Sequence, residues 1–430
     1  MISWILRLTV ILAFASSAFA LPPTPAPVQS VPIMIQGVVI HVGNGEVIEG
    51  GAVTFDQGRI TGVYRADETP ELSDHKVMTL NGEHLYPGFI LPNTWVGLSE
   101  INSVRASRDD RETGGLNPSV RSIVAYNTDS ELLPTYRFNG VLTAQVTPRG
   151  SLLAGTSAIV QLDAWNWEDA ALEADDGMHI YWPRQFKAKT DYIRRTVEWE
   201  QNKDYGEQVQ SLVDLFAAAA AAATTDNLKL LAVKPVLNGE RTLFIHAKKA
   251  KEIGDALKFA EQYSLNIVLV GADEALKVKE MVLAKNVPVI VQFVHGRPEQ
   301  DDIAIDENFT RPAQFMAAGF KVGLSSNSRM APTSGRNLPF MAGTAAGFGL
   351  TPEQALTLIT LSNAEILGIA DELGSIEVGK RATLFVSQGD ALDMRTNQIS
   401  EAFIDGRQVA IRGTQQELFD RFHEKYAEDR

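Results

Sequence analysis

Seven histidines, no cysteines and 53 acidic side chains bound the chemistry open to this 430-residue chain. Without cysteine there is no thiol nucleophile, thiolate zinc site, iron–sulfur cluster or disulfide. Metal binding and proton transfer are left to imidazoles and carboxylates. His246 ends the apolar run Leu243-Phe244-Ile245-His246. His179 lies in Met178-His179-Ile180-Tyr181, and His295 in Val294-His295-Gly296-Arg297. Asp273 and Glu274 follow another apolar run, residues 266–270. His246, His295 and Asp273 together offer the nitrogen and oxygen donors of a zinc or manganese site, which usually needs three protein ligands. The plainer alternative is a satisfied, partly buried His246, with the loop histidines and acids in water. His41, His75 and His84 lie in or beside an amino-terminal β region.

Other chemistry-bearing stretches are weaker. The glycines and hydroxyls of residues 148–157 follow the strand-like residues 141–146 and suit either an anion or substrate loop or a plain turn. Ser326 and Ser328 lack the nucleophile-elbow pattern, which removes a serine triad. Arg329 follows the same strand and can reach a pocket there.

The elements that must position these groups alternate. Residues 243–246, 266–270, 287–292 and 320–324 read as short apolar strands, and residues 250–263, 275–285 and 312–318 as helices. Strand, helix, strand at this spacing implies parallel strands with crossover helices, covered on both faces. A closed barrel and an open doubly wound sheet both fit, but no glycine-rich phosphate loop favours the open sheet. Residues 211–223 end in an alanine run and predict an exposed or loosely packed helix. Residues 38–42, 52–55 and 60–64 read as an antiparallel β unit with a turn at 56–59, residues 382–386 and 401–411 return to strand patterning, and residues 415–428 to a charged helix.

The formal charge of -14 disfavours nucleic acid as a partner, since phosphate binding needs clustered Lys and Arg. Arg7, the apolar residues 8–15 and Ala18-Phe19-Ala20 form a signal-peptide pattern over residues 1–20, with cleavage after Ala20. A membrane anchor is the alternative, but the apolar run is short for a span. The mature chain is therefore expected in the periplasm or outside the cell, without a stable membrane anchor. Residues 21–30 hold four prolines and read as a linker.

Four stretches carry a resemblance. They are Tyr86-Pro87-Gly88-Phe89 leading to Asn93-Thr94-Trp95, Ile245-His246-Ala247 with the helix after it, Gly323-Leu324-Ser325-Ser326-Asn327, and Gly374-Ser375-Ile376 leading to Gly379-Lys380-Arg381. In this order they resemble the amidohydrolase superfamily, in particular its imidazolonepropionase-like exported members. The resemblance implies an α/β fold, a distorted (β/α)8 TIM barrel over residues 85–365. It also implies a small β-sandwich domain built from both chain ends, residues 31–84 and 366–412, with a C-terminal helix over 413–430. It implies one or two divalent metals at the strand ends, a metal-activated water, and hydrolysis of C–N amide or cyclic amide bonds.

The site departs from that pattern. Where the resemblance places His-x-His, this chain has Asn93 and Trp95, a neutral carbonyl and an indole that only donates. The strand-five histidine is kept as His246, the strand-six histidine is replaced by Gly271, and the strand-eight aspartate by Asn327. An amide does not ionise near neutral pH, so no general base stands at position 327. No strand-four lysine can be assigned. The sequence thus predicts a vestigial pocket of Asn93, Trp95, His246, Gly271 and Asn327, with Trp95 bulky enough to fill the metal's place and no cofactor. It predicts a homologue that is inactive or impaired and serves as a scaffold or subunit, paired with an intact amidohydrolase paralogue or with itself, and holding a small molecule. The alternatives are a working hydrolase with a reduced or relocated zinc or manganese site, and a metal-free periplasmic binding protein.

Overall fold

The computed structural model describes residues 24–150, 152–191, 196–298, 303–326 and 331–427. The signal-peptide reading and the site position Asn327, with Ser328 and Arg329, lie outside the described residues. Along the chain run β1 (Ile33–His41), β2 (Val47–Asp56), β3 (Arg59–Tyr64), β4 (Lys76–Thr79) and β5 (His84–Pro87). Then come β6 (Phe89–Thr94), β7 (Val141–Val146), β8 (Leu153–Thr156), β9 (Ala158–Gln161), β10 (Ala171–Glu173) and β11 (Gly177–Tyr181). The hairpin β12 (Phe186–Asp191) and β13 (Thr196–Gln201) precedes β14 (Thr242–Ala247), β15 (Ile267–Gly271), β16 (Val289–Val291) and β17 (Val322–Leu324). The last strands are β18 (Leu384–Ser387), β19 (Ile399–Ile404) and β20 (Arg407–Gln408).

Both chain ends build one eight-stranded sheet, in the order β20-β19-β18-β5-β1-β2-β3 with β4 on β1. Its apolar face is a separate core of Ile35, Val38, Ile40, Val53, Phe55, Leu384 and Phe403. The turn expected between β2 and β3 is present, with Gln57 and Gly58 both at positive φ. The proline-rich linker is not a free tether where it is described: Ala26 N donates to Asp163 Oδ2 at 2.9 Å.

The central region is α/β, and its ladders form two arcs. One runs β10-β9-β7-β6 and the other β17-β16-β15-β14-β11-β8. β6 pairs parallel with β7, and β11, β14, β15, β16 and β17 pair parallel in series. Between β7 and β11 the expected strand-helix alternation fails. The chain there makes β8 and β9, which pair antiparallel with β11 and β7 respectively, and the helix between β9 and β11 has only four residues, Trp167–Ala170. The stretch 148–157 is accordingly not a plain strand-to-helix turn, because residues 153–156 form β8. Gly155 is needed there. At φ +127 a Cβ would come within 2.5 Å of Val120 O, whose segment runs parallel alongside β8.

Side chains bridge the two seams that the ladders leave. At one, Asn363 Nδ2 donates to Ile90 O at 2.8 Å and to Leu324 O at 2.9 Å, spanning β6 and β17. Ser325 Oγ donates to Pro92 O at 2.7 Å beside it. At the other, Ser157, between β8 and β9, sends both its N–H and its hydroxyl to Gly177 O at the start of β11.

The strands are buried on both faces, as covered parallel strands should be. The helix Ala250–Gln262 covers β14 with Ile253, Leu257, Phe259 and Ala260. Ile253, Leu257 and Phe259 each contribute about 1.5–3 kcal/mol on burial. The alanine-rich helix runs Tyr205–Ala221 and is better packed than expected, burying Leu212, Phe216 and Ala219. The helix expected over 275–285 is split, a 3-10 turn Ala275–Val278 preceding the α-helix Lys279–Ala284. No helix among the described residues is long and apolar enough to cross a membrane.

Candidate functional site

The parallel strands end together, and their ends carry the residues the sequence singles out. β14 ends on His246-Ala247, in register with Val270-Gly271 of β15. On the other side Tyr181, at the end of β11, is level with His246. Glu252 fixes the exit from β14: its carboxylate accepts from Lys248 N at 3.3 Å, Lys249 N at 3.2 Å and Gln185 N at 3.0 Å. These bonds satisfy orphan donors at the start of the covering helix.

His246 is not isolated. Its Nε2 lies 3.0 Å from His179 Nδ1, and His179 Nε2 lies 2.8 Å from Ser157 Oγ. Gln145 Nε2, from β7, donates to Ser157 Oγ at 3.4 Å and to Asp176 Oδ2 at 2.7 Å. Gln145 Oε1 in turn accepts from Asn93 N at 3.0 Å. A buried polar chain therefore runs Asn93–Gln145–Ser157–His179–His246 across the seam between the arcs. The Tyr181 ring stacks on His246 with centroids 4.1 Å apart, and Phe244 stacks on His179 at 4.8 Å.

Burial tunes the chain toward neutral groups. It pushes His246 down to about 3 and holds His179 well below the ordinary imidazole range, the neighbouring imidazole adding to the effect. It pushes the Asp176 carboxyl up to about 6, against the opposing bonds from Ser157 and Gln145.

The strand-one positions are both buried. Asn93 sits at φ +53, a left-handed conformation that asparagine tolerates better than most residues. Its Nδ2 has no hydrogen-bond partner among the described residues. Trp95 is 2% exposed and belongs to the main core, with the Arg149 guanidinium 4.0 Å above its ring. Its indole nitrogen is buried without a partner among the described residues. Arg149, with Arg108 and Arg111, also faces the buried carboxylate of Asp110. Gly271 is at φ +90, and a Cβ there would meet nothing closer than 3.7 Å. Space is available at that position; the backbone conformation is what favours glycine.

The relocated set of His246, His295 and Asp273 is not assembled. Asp273 pairs with Lys248 Nζ and Arg311 Nη1, each at 3.4 Å. His295 is exposed and bonds Thr344 Oγ1 at 2.7 Å. Loops turn both side chains to other partners, and a loop position in sequence does not fix which way its side chain turns. Ser326, rejected as a nucleophile, donates to Ser334 O at 2.9 Å.

Sequence reasoning missed Gln145, Asp176 and Tyr181, named Ser157 only within the loop 148–157, and named His179 without placing it beside His246. His179 is fully buried in β11. The available signal was its place in an alternating apolar run, which marks an inward strand position.

The chain matches the model of the amidohydrolase family over residues 213–410. It is 24% identical over 370 residues to the imidazolonepropionase of Symbiobacterium thermophilum, covering 79% of this chain and 84% of that one. The chain is similar to the imidazolonepropionase-like members of the amidohydrolase superfamily. With the imidazolonepropionase of Streptococcus sanguinis it shares 23% identity over 399 residues, 86% of this chain and 92% of the relative. An amidohydrolase from Thermotoga maritima has the same fold, with a TM-score of 0.76 at 22% identity over 88% of this chain and 100% of that one.

Amidohydrolases usually bind a divalent metal, and the donors present do not fit one. His179 and His246 each spend a ring nitrogen on the other, Trp95 and Gly271 offer no lone pair, and the one buried amide at Asn93 is neutral. Among the described residues no three His, Asp or Glu side chains converge as a metal site would require.

Proposed function

We propose that this protein is a non-hydrolysing amidohydrolase homologue that holds a small ligand at the ends of its parallel strands. As an exported protein it serves as a scaffold or partner subunit for an intact, metal-bearing relative or for a second copy. The observation that carries this reading is the state of the strand-one pair. Asn93 and Trp95 stand where the superfamily pattern has two imidazoles; both are buried, the Asn93 backbone N–H bonded to Gln145 and the Trp95 ring covered by Arg149, and neither side chain offers an imidazole lone pair. A water nucleophile needs a cation or a base to lower its pKa, and neutral amides and an indole supply neither. The test is elemental analysis of the purified protein after dialysis. Far less than one equivalent of zinc or manganese is expected, and a stoichiometric amount would end this reading.

One observation favours a second reading, a working hydrolase of C–N bonds with a reduced site. His246 bonds His179 through Nε2, which leaves Nδ1 as the imidazole nitrogen that can serve a ligand. That reading requires metal-dependent turnover of a cyclic amide or dipeptide that disappears in His246→Ala. Turnover unaffected by that substitution would remove it.

A further inference from the structure

The polar chain behind His246 has a direction, and the direction can be found by counting protons. Ser157 Oγ lies 3.1 Å from Gly177 O and 2.8 Å from His179 Nε2. A backbone carbonyl only accepts, and the Gln145 amide nitrogen, at 3.4 Å from Ser157 Oγ, only donates. The serine hydroxyl has one proton. Given to Gly177 O, it leaves Oγ free to accept from both Gln145 Nε2 and His179 Nε2, and every contact is a hydrogen bond. Given to His179 instead, it leaves Gly177 O with Ser157 N–H as its donor and sets the two oxygens facing each other at 3.1 Å with no proton between them. Ser157 and His179 are both fully buried, where an unmade bond has no water to replace it. Asp176 also bonds the Ser157 side chain, and when ionised it is a second acceptor that competes with His179 for the hydroxyl proton.

The rest follows along the chain. His179 carries its proton on Nε2, so as a neutral ring it accepts at Nδ1. His246 must then donate from Nε2, and as a neutral ring it keeps a bare lone pair on Nδ1. The stacked Tyr181 ring fixes the plane in which that lone pair points.

We infer that Ser157 and the Gly177 carbonyl act through His179 to hold His246 as the Nε2–H tautomer. Its Nδ1 is thereby presented as a fixed hydrogen-bond acceptor for a ligand N–H or O–H group. Ser157 and His179 are positioning residues. The site takes amide, ureido or amine N–H donors and repels a bare carboxylate, because two lone pairs cannot share a contact. The occupant rests on the ligand-binding reading above, whereas the tautomer stands without it.

The test is nitrogen NMR of the full chain with labelled histidine, His246 being assigned by the signal lost in His246→Gln. Wild type and Ser157→Thr, which keeps the hydroxyl, should show a protonated Nε2 and a bare Nδ1 at His246. Ser157→Ala should populate the Nδ1–H form, because His179 is then free to turn its donor either way. A wild-type His246 protonated on Nδ1, or a tautomer unmoved by Ser157→Ala, would overturn the assignment; if the alanine variant does not fold, the wild-type spectrum still decides. Acetamide should shift the Nδ1 signal and acetate should not. An unmoved Nδ1 with the expected tautomer would remove the ligand-binding reading alone, and a response to acetate instead of acetamide would overturn the acceptor role.

Discussion

Arg407 and Asp163, 244 residues apart in sequence, meet with Nη1 2.7 Å from Oδ2. Arg407 belongs to β20, in the sheet made from the chain ends, and Asp163 follows β9 in the central region. The same guanidinium donates to Asp163 O at 2.7 Å, and Arg137 Nη1 stands 3.6 Å from Asp163 Oδ1. Asp163 is 8% exposed, so its charge has little water to return to. Asp163→Ala strands two buried guanidinium groups and should cost about 3–5 kcal/mol, as breaking a buried ion pair usually does. Urea unfolding measures it; a loss below about 1 kcal/mol would match a solvent-screened surface pair instead.

Asn363→Ala should loosen the seam between β6 and β17. The substitution leaves Ile90 O and Leu324 O without the amide that serves both. Buried acceptors left unsatisfied cost about 1–3 kcal/mol each. A loss of about 2–6 kcal/mol in chemical denaturation is expected on that basis. Hydrogen exchange should quicken first at the amides of β6 and β17.

The buried imidazoles and Asp176 make stability depend on pH with opposite signs. His246 has a folded pKa of about 3 against an ordinary 6.5, so between those values the unfolded chain binds the proton and the folded chain does not. Its contribution is whole above pH 6.5 and is lost as the pH falls toward 3. His179, also lowered by burial, acts in the same direction. Asp176, raised from 3.8 to about 6, contributes fully below pH 3.8 and loses that contribution as the pH rises through 6. Asp176→Asn should therefore melt above wild type at pH 8, the gap shrinking toward pH 4. A gap that does not change with pH would show that the carboxyl is not titrating as stated.

Gly271→Ala should cost about 1–2 kcal/mol even though the position has room for a methyl group. The penalty comes from holding an L-residue at φ +90, not from a clash. Gly271→His should pay the same strain and gain no metal affinity alone, since Asn93 and Trp95 would be unchanged. Calorimetry of the two variants and zinc titration of the second would decide it.

Much of the fold was legible because it rests on local pattern. The apolar runs ending at His246, Val270 and Leu324 mark strands covered on both faces, and the sheet built from both chain ends follows from strand patterning at each terminus. The stretch from residue 148 to 181 was not legible. Its strands are short, and Gly155 and Ser157 serve contacts with partners far along the chain, Val120 and Gly177. Nothing local distinguishes an antiparallel insertion there from a turn into a helix.

The candidate site divides in the same way. By itself the sequence determined what positions 93, 95 and 271 can offer, because an amide, an indole and a glycine keep their chemistry in any fold. Only the tertiary structure decided which donors meet. His246 joins His179, Ser157 and Gln145, while Asp273 and His295 turn to other partners. A side chain's chemistry travels with its residue type, whereas its partners depend on strand register and on how two open arcs of sheet are bridged, which are set by packing across the whole chain.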